Sequence, residues 1–350
     1  MRPQLLISLL FLTVLPGSAV WAENPVLRGK RILSVSVNET DAVGYDQALS
    51  DAQQAGIMAV SLSQNWDDLE TAPGVFRPRP NLLKIANRYY VGTGLILSLG
   101  INPIDTVNVR LPEDLRGRSW DDPEVIERYK RLLDFALMEV SALELNSLTI
   151  GNEIDGVLKS PEEWTAYEKF FKATAEYARR FWPGLRVGTK GMMAGLTGRF
   201  AAEFQRINRH ADVVMVTYYP LNEDFSVEAP DTVHKAFAEL TALYPEKPVY
   251  VMEIGYPSGA ELGSSQVAQA RFISEAFRMW DRYAGRIEYM EFTWMNDQSE
   301  SQLDVWEEYY GLNQPHFREF LGTLGLRDEN GRNKAGYERL LREAEARGWR

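Results

Sequence analysis

The 350-residue sequence predicts an α/β fold, a single-domain (β/α)8 TIM barrel. Three observations carry that expectation. Eight short apolar runs of β type alternate with longer segments of helical period, the pattern of a parallel sheet wrapped by helices. The runs are nearly continuous in hydrophobicity, as strands buried on both faces require. The first run leads into "NETDAVGYD", which contains neither G-x-G-x-x-G nor a Walker lysine, so a doubly wound sheet would lack its phosphate loop.

In chain order, residues 1–22 read as a signal peptide. Arg2 precedes the apolar run "LLISLLFLTVL", and the small-residue stretch "PGSAVWA" follows it, with cleavage expected after Ala22. That run is shorter than the ~20 residues that cross a bilayer, and no later stretch approaches that length. A secreted or periplasmic protein without a membrane anchor is expected, its mature domain being residues 23–350. The eight runs are then "RILSVSV" at 31–37, "IMAVSLS" at 57–63, "LILSLGI" at 95–101, "SLTIG" at 147–151, "LRVGTK" at 185–190, "DVVMVTYY" at 212–219, "KPVYVMEIG" at 247–255 and "RIEYMEFTW" at 286–294. Between them, "DPEVIERYKRLLDFALMEVSA" and "PEEWTAYEKFFKATAEYARRF" carry Pro in the first turn and apolar residues at spacings of three and four, which predicts helices.

Composition narrows the partners. Acidic side chains outnumber basic ones by 49 to 38, a net charge of -11, so the basic footprint that nucleic acid demands is missing. There is no cysteine, so disulfides and thiol chemistry are excluded. His210, His234 and His316 are scattered and form neither H-x-H nor H-E-x-x-H, so neither a metal nor another cofactor is expected. "GYPSGA" lacks the G-x-S-x-G elbow of a nucleophilic serine. Nine Trp, 16 Tyr and 15 Phe supply the core and leave flat apolar faces that suit sugars.

Barrel enzymes work at the C-terminal tips of their strands, where polar residues read as catalytic. The fourth run ends in Asn152 and Glu153, the sixth in Tyr218 and Tyr219, the seventh in Glu253 and the eighth in Trp294. Two glutamates three strands apart are what retaining glycoside hydrolysis requires: one protonates the leaving oxygen while the other, ionised, attacks the anomeric carbon. Other candidates are Trp66 in "NWDDLETAPGVFRP", as a cleft-lining residue, with Glu70 bracing that loop, and Asn102 and Asp105 after the third run. Asp155 is expected to tune Glu153 or to cap the next helix, and Glu291 to be structural. Trp306, Tyr309 and Tyr310 lie in a long acidic and aromatic insertion, where packing is the expected use.

"IGNE" on the fourth run and "MEIGYPS" on the seventh resemble the clan A glycoside hydrolases, with "IGNEIDGVL" and "TYYPL" similar to arabinogalactan endo-β-1,4-galactanases and "EIGYPS" to endo-β-1,3-glucanases. The resemblance implies that Glu153 is the acid/base and Glu253 the nucleophile. It also implies that Asn152 holds the sugar's 2-hydroxyl, that Tyr219 or Tyr218 donates to Glu253, and that Trp294 is the floor under the sugar at the cleavage point. The expected protein is a monomeric, endo-acting, retaining β-glycosidase whose substrate is an oligo- or polysaccharide, a β-galactan or β-glucan. The alternatives are a transglycosylase remodelling β-glucan and a non-catalytic carbohydrate-binding protein on the same barrel.

Overall fold

The computed structural model describes residues 24–350, so the expected signal peptide lies outside the described residues. All eight predicted runs become barrel strands: β1 (Ile32–Val35), β2 (Ala59–Asn65), β3 (Ile96–Asp105), β4 (Leu145–Asn152), β5 (Arg186–Gly188 and Lys190–Met192), β6 (Val214–Tyr218), β7 (Val249–Ile254) and β8 (Ile287–Phe292). Every neighbouring pair is parallel, and β1 pairs with both β2 and β8. The ring closes through β5, which is interrupted at Thr189. Its first segment pairs with β4 and its second with β6.

Helices α1 (Tyr45–Gln54), α2 (Leu82–Tyr90), α3 (Pro123–Glu139), α4 (Pro161–Phe181), α5 (Ala201–Asn208), α6 (Thr232–Leu243) and α7 (Gln266–Arg282) fill the connections. Helices α8 (Glu300–Tyr310) and α9 (Pro315–Thr323) form the insertion after β8, and α10 (Ala335–Ala346) ends the chain. Local chemistry explains the two helices predicted in full. Asp122 caps α3 by accepting from the Glu124 N–H, Ser160 and Glu163 form a capping box on α4, and both helices take Pro at the first turn. No described helix is long and apolar enough to cross a membrane.

The outward faces of the strands pack under the helices in one large apolar cluster. The inward faces change character with height. At the floor, Ile32, Ala59, Ile96, Met215, Tyr250, Met252 and Tyr289 make a separate apolar plug, with the Tyr250 and Tyr289 rings stacked at 5.5 Å. Above it, β1 to β4 turn inward a repeated pair two residues apart: Ser34 and Ser36, Ser61 and Ser63, Ser98 and Gly100, Ser147 and Thr149. Period-two alternation puts both members of each pair on one face. Half of the barrel is therefore lined by small hydroxyls where bulky aliphatic residues ordinarily sit.

β2 and β3 run past their predicted ends at 63 and 101. Their tails pair, Asn65 against Asn102, and the end of β3 then pairs with the tip of β4, Asp105 against Asn152. The loop after β2 corrects one expectation. Trp66 does not line the cleft: it is fully buried, packs edge-on against Tyr129, and donates its indole N–H to Glu70 at 2.6 Å. The short helix Trp66–Leu69 carries the indole inward, back under its own loop. Glu70 braces that loop and is buried, taking 3.0 and 2.6 Å bonds from the Arg128 guanidinium of α3.

Breaking a buried pair leaves an uncompensated charge, so Arg128→Met should destabilise the fold by about 3 to 5 kcal/mol. Denaturant unfolding of the variant beside the wild type checks this, and an unchanged midpoint would contradict it.

Candidate active site

β4 ends in "IGNE" because its last residues must leave the sheet and turn back over the barrel. Gly151 has φ 83°, and a Cβ there would lie 2.4 Å from the Tyr167 hydroxyl, so conformation and space both demand glycine. Glu153 follows in the left-handed region, φ 45° and ψ 52°. Thr106, at the end of β3, is left-handed as well, with φ 54°. The two are partners: Thr106 donates its hydroxyl to Glu153 Oε2 at 2.8 Å, and its N–H to the Asn152 carbonyl at 3.0 Å. Strain of this kind costs of order 1 to 3 kcal/mol per residue and persists where the surroundings over-determine it.

Thr217 on β6 donates to the other oxygen, Glu153 Oε1, at 2.5 Å. Thr217 is also the register partner of Glu253 on β7, so strand pairing itself sets the two carboxylates beside one another. Glu253 is held differently. Lys190 donates to its Oε1 at 2.7 Å and Tyr219 donates to its Oε2 at 2.8 Å.

The two environments separate the glutamates chemically. Burial, reinforced by the charge of Glu253, pushes the Glu153 carboxyl up to about 7 against the pull of the two threonine hydroxyls. Burial would lower the Lys190 ammonium, but Glu253 and then Glu153 and Asp105 outweigh it and hold the cation charged. Burial and the charge of Glu253 raise the Tyr219 phenol, which stays protonated as a donor. One carboxyl is thus suited to carry a proton near neutrality, and its neighbour is clamped by a cation and a phenol.

The remaining predicted residues divide. Asn152 reaches the site and gives its amide N–H to Asp105 at 2.7 Å, while its Oδ1 has no hydrogen-bond partner among the described residues. Asn102 lies inside the barrel mouth, 2% exposed, with Oδ1 likewise unpartnered and Nδ2 a distant 3.4 Å from Ser63. Trp294 is partly buried at the cleft, follows a cis peptide, and stacks on Trp306 at 6.0 Å.

Tyr218 is a correction. Strand alternation turns it outward, where it packs against Phe237 and Phe272 and its hydroxyl meets Thr232. It does not reach Glu253. Asp155 caps no helix. Its side chain accepts from the Met192 N–H of β5, and burial pushes it up to about 6. Glu291 lies deeper, accepting from the Ser36, Ser61 and Tyr289 hydroxyls. Trp306, Tyr309 and Tyr310, expected to pack, also wall the cleft, which encloses ≈ 1400 Å³. The histidines bind outer carboxylates or backbone instead: His210 meets Glu168, His234 meets Glu275 and His316 meets a carbonyl. Among the described residues no group of His, Cys, Asp and Glu is arranged to hold a metal ion.

Lys190, Thr217 and Thr106 were missed from the sequence. The signal for Thr217 was present: it stands two before Tyr219, hence on the same inward face. Lys190 ends an apolar run, the same cue that singled out Glu253. Nothing local marks Thr106.

No protein-family model matches the sequence, and no curated protein is similar to it at the sequence level. Solved structures do resemble the fold. The exo-β-1,4-mannosidase Op5Man5 from Opitutaceae bacterium strain TAV5 superposes with a TM-score of 0.68 at 16% identity, over 91% of this chain and 59% of its own, so the present chain spans well under two thirds of that protein. GH5_18 from Streptomyces cattleya in complex with GlcNAc gives 0.68 at 15%, over 92% and 80%. An active-site mutant of Rhizomucor miehei β-1,3-glucanosyltransferase in complex with laminaritriose gives 0.57 at 15%, over 88% and 97%. At such identities the likeness is one of fold, the (β/α)8 barrel.

The raised Glu153 carboxyl makes stability pH-dependent with a definite sign. A folded-state value of about 7 above an ordinary 4.5 means that the unfolded chain releases the proton first as pH rises. Stability from this group is therefore full below 4.5 and falls until about 7. Glu153→Gln has no such loss. Relative to wild type, the variant should be more stable at pH 8 than at pH 4 by roughly 1 to 3 kcal/mol. Urea unfolding of both proteins at the two pH values checks this, and an equal difference at both would contradict it.

Proposed function

We propose that the protein is a retaining β-glycosidase that hydrolyses a β-linked glycan by double displacement. The observation that carries the reading is the asymmetric pair. Glu153 is raised toward neutrality by burial beside Glu253, and Glu253 is fixed by Lys190 and Tyr219. Such divergence between two neighbouring carboxyls marks acid and nucleophile.

In the first step a Glu253 oxygen bonds to the anomeric carbon as the glycosidic bond breaks, and Glu153 gives its proton to the departing oxygen. In the second, Glu153 takes a proton from water, the water oxygen bonds to the anomeric carbon, and Glu253 leaves as carboxylate. Tyr219 and Lys190 stabilise the carboxylate before attack and after release. The Asn152 amide faces the same space, and Trp294 offers an apolar face beneath the ring. A transglycosylase would use these residues with a sugar hydroxyl replacing water. The signal peptide expected at residues 1–22 would support action outside the cytoplasm, and the barrel's likeness to clan A enzymes agrees with the two glutamates on β4 and β7.

Azide rescue assigns the roles. Glu253→Ala should lose turnover and recover part of it with azide, giving the inverted glycosyl azide. Glu153→Ala should keep activity best on substrates with good leaving groups and give the retained azide. Exchanged stereochemistry would exchange the assignments. For Trp294→Ala, kcat/KM should fall roughly 10- to 1000-fold, since a stacking contact with its apolar burial is worth on the order of 1 to 4 kcal/mol. Thermal melts separate this from damage to the core: a large fall in Tm with normal kcat/KM per folded molecule would make Trp294 a packing residue.

A further inference from the structure

We infer that the site is a blind pocket that takes one neutral sugar at the non-reducing end of its substrate, making the enzyme exo-acting. This deepens the glycosidase reading and rests on it. Two features carry it, the wall built by α8 and the hydroxyl-lined well below it.

α8 belongs to the insertion after β8, yet it is fastened to the loops of strands further round the barrel. At its N-terminal end, Gln302 donates to the Glu39 carbonyl at 2.7 Å and Ser301 bonds Asp41 at 3.0 Å, both in the loop after β1. At its C-terminal end, the Tyr309 hydroxyl donates to Asp105 at the end of β3, and Asn108 donates to the Tyr309 carbonyl at 3.2 Å. The helix therefore spans the mouth over β1, β2 and β3. Its inner side is aromatic: Trp306 stacks between Trp294 and Tyr310 with interplanar angles of 19° and 24°.

The catalytic pair fixes which part of a substrate meets this wall. The leaving oxygen must lie against Glu153, so the departing portion extends over β4 and the residues after β5. The ring that stays attached to Glu253 lies the other way, over Trp294 and the barrel half formed by β1 to β3. A chain continuing beyond that ring would have to pass through α8.

Below the wall, the same half of the barrel is hollow. Ser61 and Ser63 are exposed although they lie on the inner face of β2, and with Ser36, Gly100 and Asn102 they line the cavity. Asn102 is 2% exposed and its Oδ1 has no partner among the described residues. A buried amide oxygen left unsatisfied carries a desolvation penalty that a sugar hydroxyl would remove. The lining toward the well is hydroxyl and amide above the buried Glu291 carboxyl, with Asp105 at its rim, and Lys190 is already occupied by Glu253, so among the described residues of the well no free cation awaits a uronate. A neutral terminal sugar, with several hydroxyls to share, fits this surface.

Mechanism-based labelling tests the inference. The probes are 2,4-dinitrophenyl 2-deoxy-2-fluoro-β-D-glycosides of gluco, galacto and manno configuration, and the same glycosides extended by one β-1,3- or β-1,4-linked sugar. Glu253 attacks the anomeric carbon, dinitrophenolate leaves with its electron pair, and the fluorosugar stays on the enzyme, where intact mass and peptide mapping detect it. For the configuration that labels, the monoside should react at least tenfold faster than either extended glycoside. An extended glycoside reacting as fast or faster would overturn the exo reading and leave the glycosidase reading standing. No labelling of Glu253 by any probe would overturn both. The double substitution Trp306→Ala and Tyr309→Ala should narrow the rate ratio at least tenfold, and an unchanged ratio in folded variant would remove α8 as the wall. The wild-type ratio decides the main point whether or not that variant folds.

Discussion

The ion pair between Lys190 and Glu253 is the constraint on which the upper barrel depends. An ammonium at this depth faces Glu253, Glu153 and Asp105, and its charge also acts on Glu291. Removing these groups from water costs several kcal/mol per ion, which attraction offsets only when geometry is good and the spare lone pairs are bonded. The surrounding residues meet that demand. Tyr219 takes the second oxygen of Glu253, two threonines take Glu153, and Ser36, Ser61 and Tyr289 take Glu291. A barrel interior of branched aliphatics could not do this, so apolar packing is confined to the plug around Tyr250 and Tyr289. Lys190 stands on the strand that closes the ring, directly after the break at Thr189. The residue that neutralises the site also starts the segment that pairs with β6.

The two glutamates owe their difference to backbone. Glu253 stays within its strand but depends on an irregularity there: Tyr250 and Met252 already face the interior, and the register of β7 with β6 and β8 shifts between Val251 and Glu253, which turns Glu253 inward as well. Glu153 has left its strand through Gly151 and stands in a left-handed turn opposite a second left-handed residue, Thr106. Gly156 lets these segments meet, since a Cβ on it would fall 1.7 Å from the Thr106 carbonyl oxygen. The cost of the turn gives Glu153 a position that strand geometry would not provide, reached by hydroxyls from β3 and β6 at once.

The strands were legible because parallel strands buried on both faces write unbroken apolar runs, and all eight were found within a few residues. The tails of β2 and β3 were not, since polar residues such as Gln64, Asn65 and Asn102 extend them by pairing with each other. Of the site, Glu153, Glu253, Asn152, Asn102, Tyr219 and Trp294 stood out as polar or aromatic residues at strand tips, and the structure brings them to one cleft. Tyr218 was indistinguishable from Tyr219 by residue type; only the parity of β6 separates them, and parity also points to Thr217. Trp66 misled because an aromatic residue in a tip loop reads as cleft lining until a short helix turns it inward onto Glu70. The serine pairs of β1 to β4 were visible as S-x-S, S-x-S, S-x-G and S-x-T. A single such pair means little, and the meaning lies in four strands agreeing.

The insertion after β8 shows why packing and function are poor alternatives for an aromatic segment. One side of it builds a small core of Leu303, Phe317, Phe320, Leu321 and Leu324, which gives the two helices a reason to fold on the barrel. Trp306 and Tyr310 pack on that core and, with Tyr309, also face the cleft. The hydroxyl of Tyr309 binds the same Asp105 carboxylate that receives the Asn152 amide. α8 therefore walls the pocket and also orients, through one carboxylate, the amide beside Glu153. A substitution that loosened the small core would shift Tyr309, release Asp105 and let Asn152 turn, so the shape of the pocket and the alignment of its chemistry are coupled through packing that touches neither glutamate.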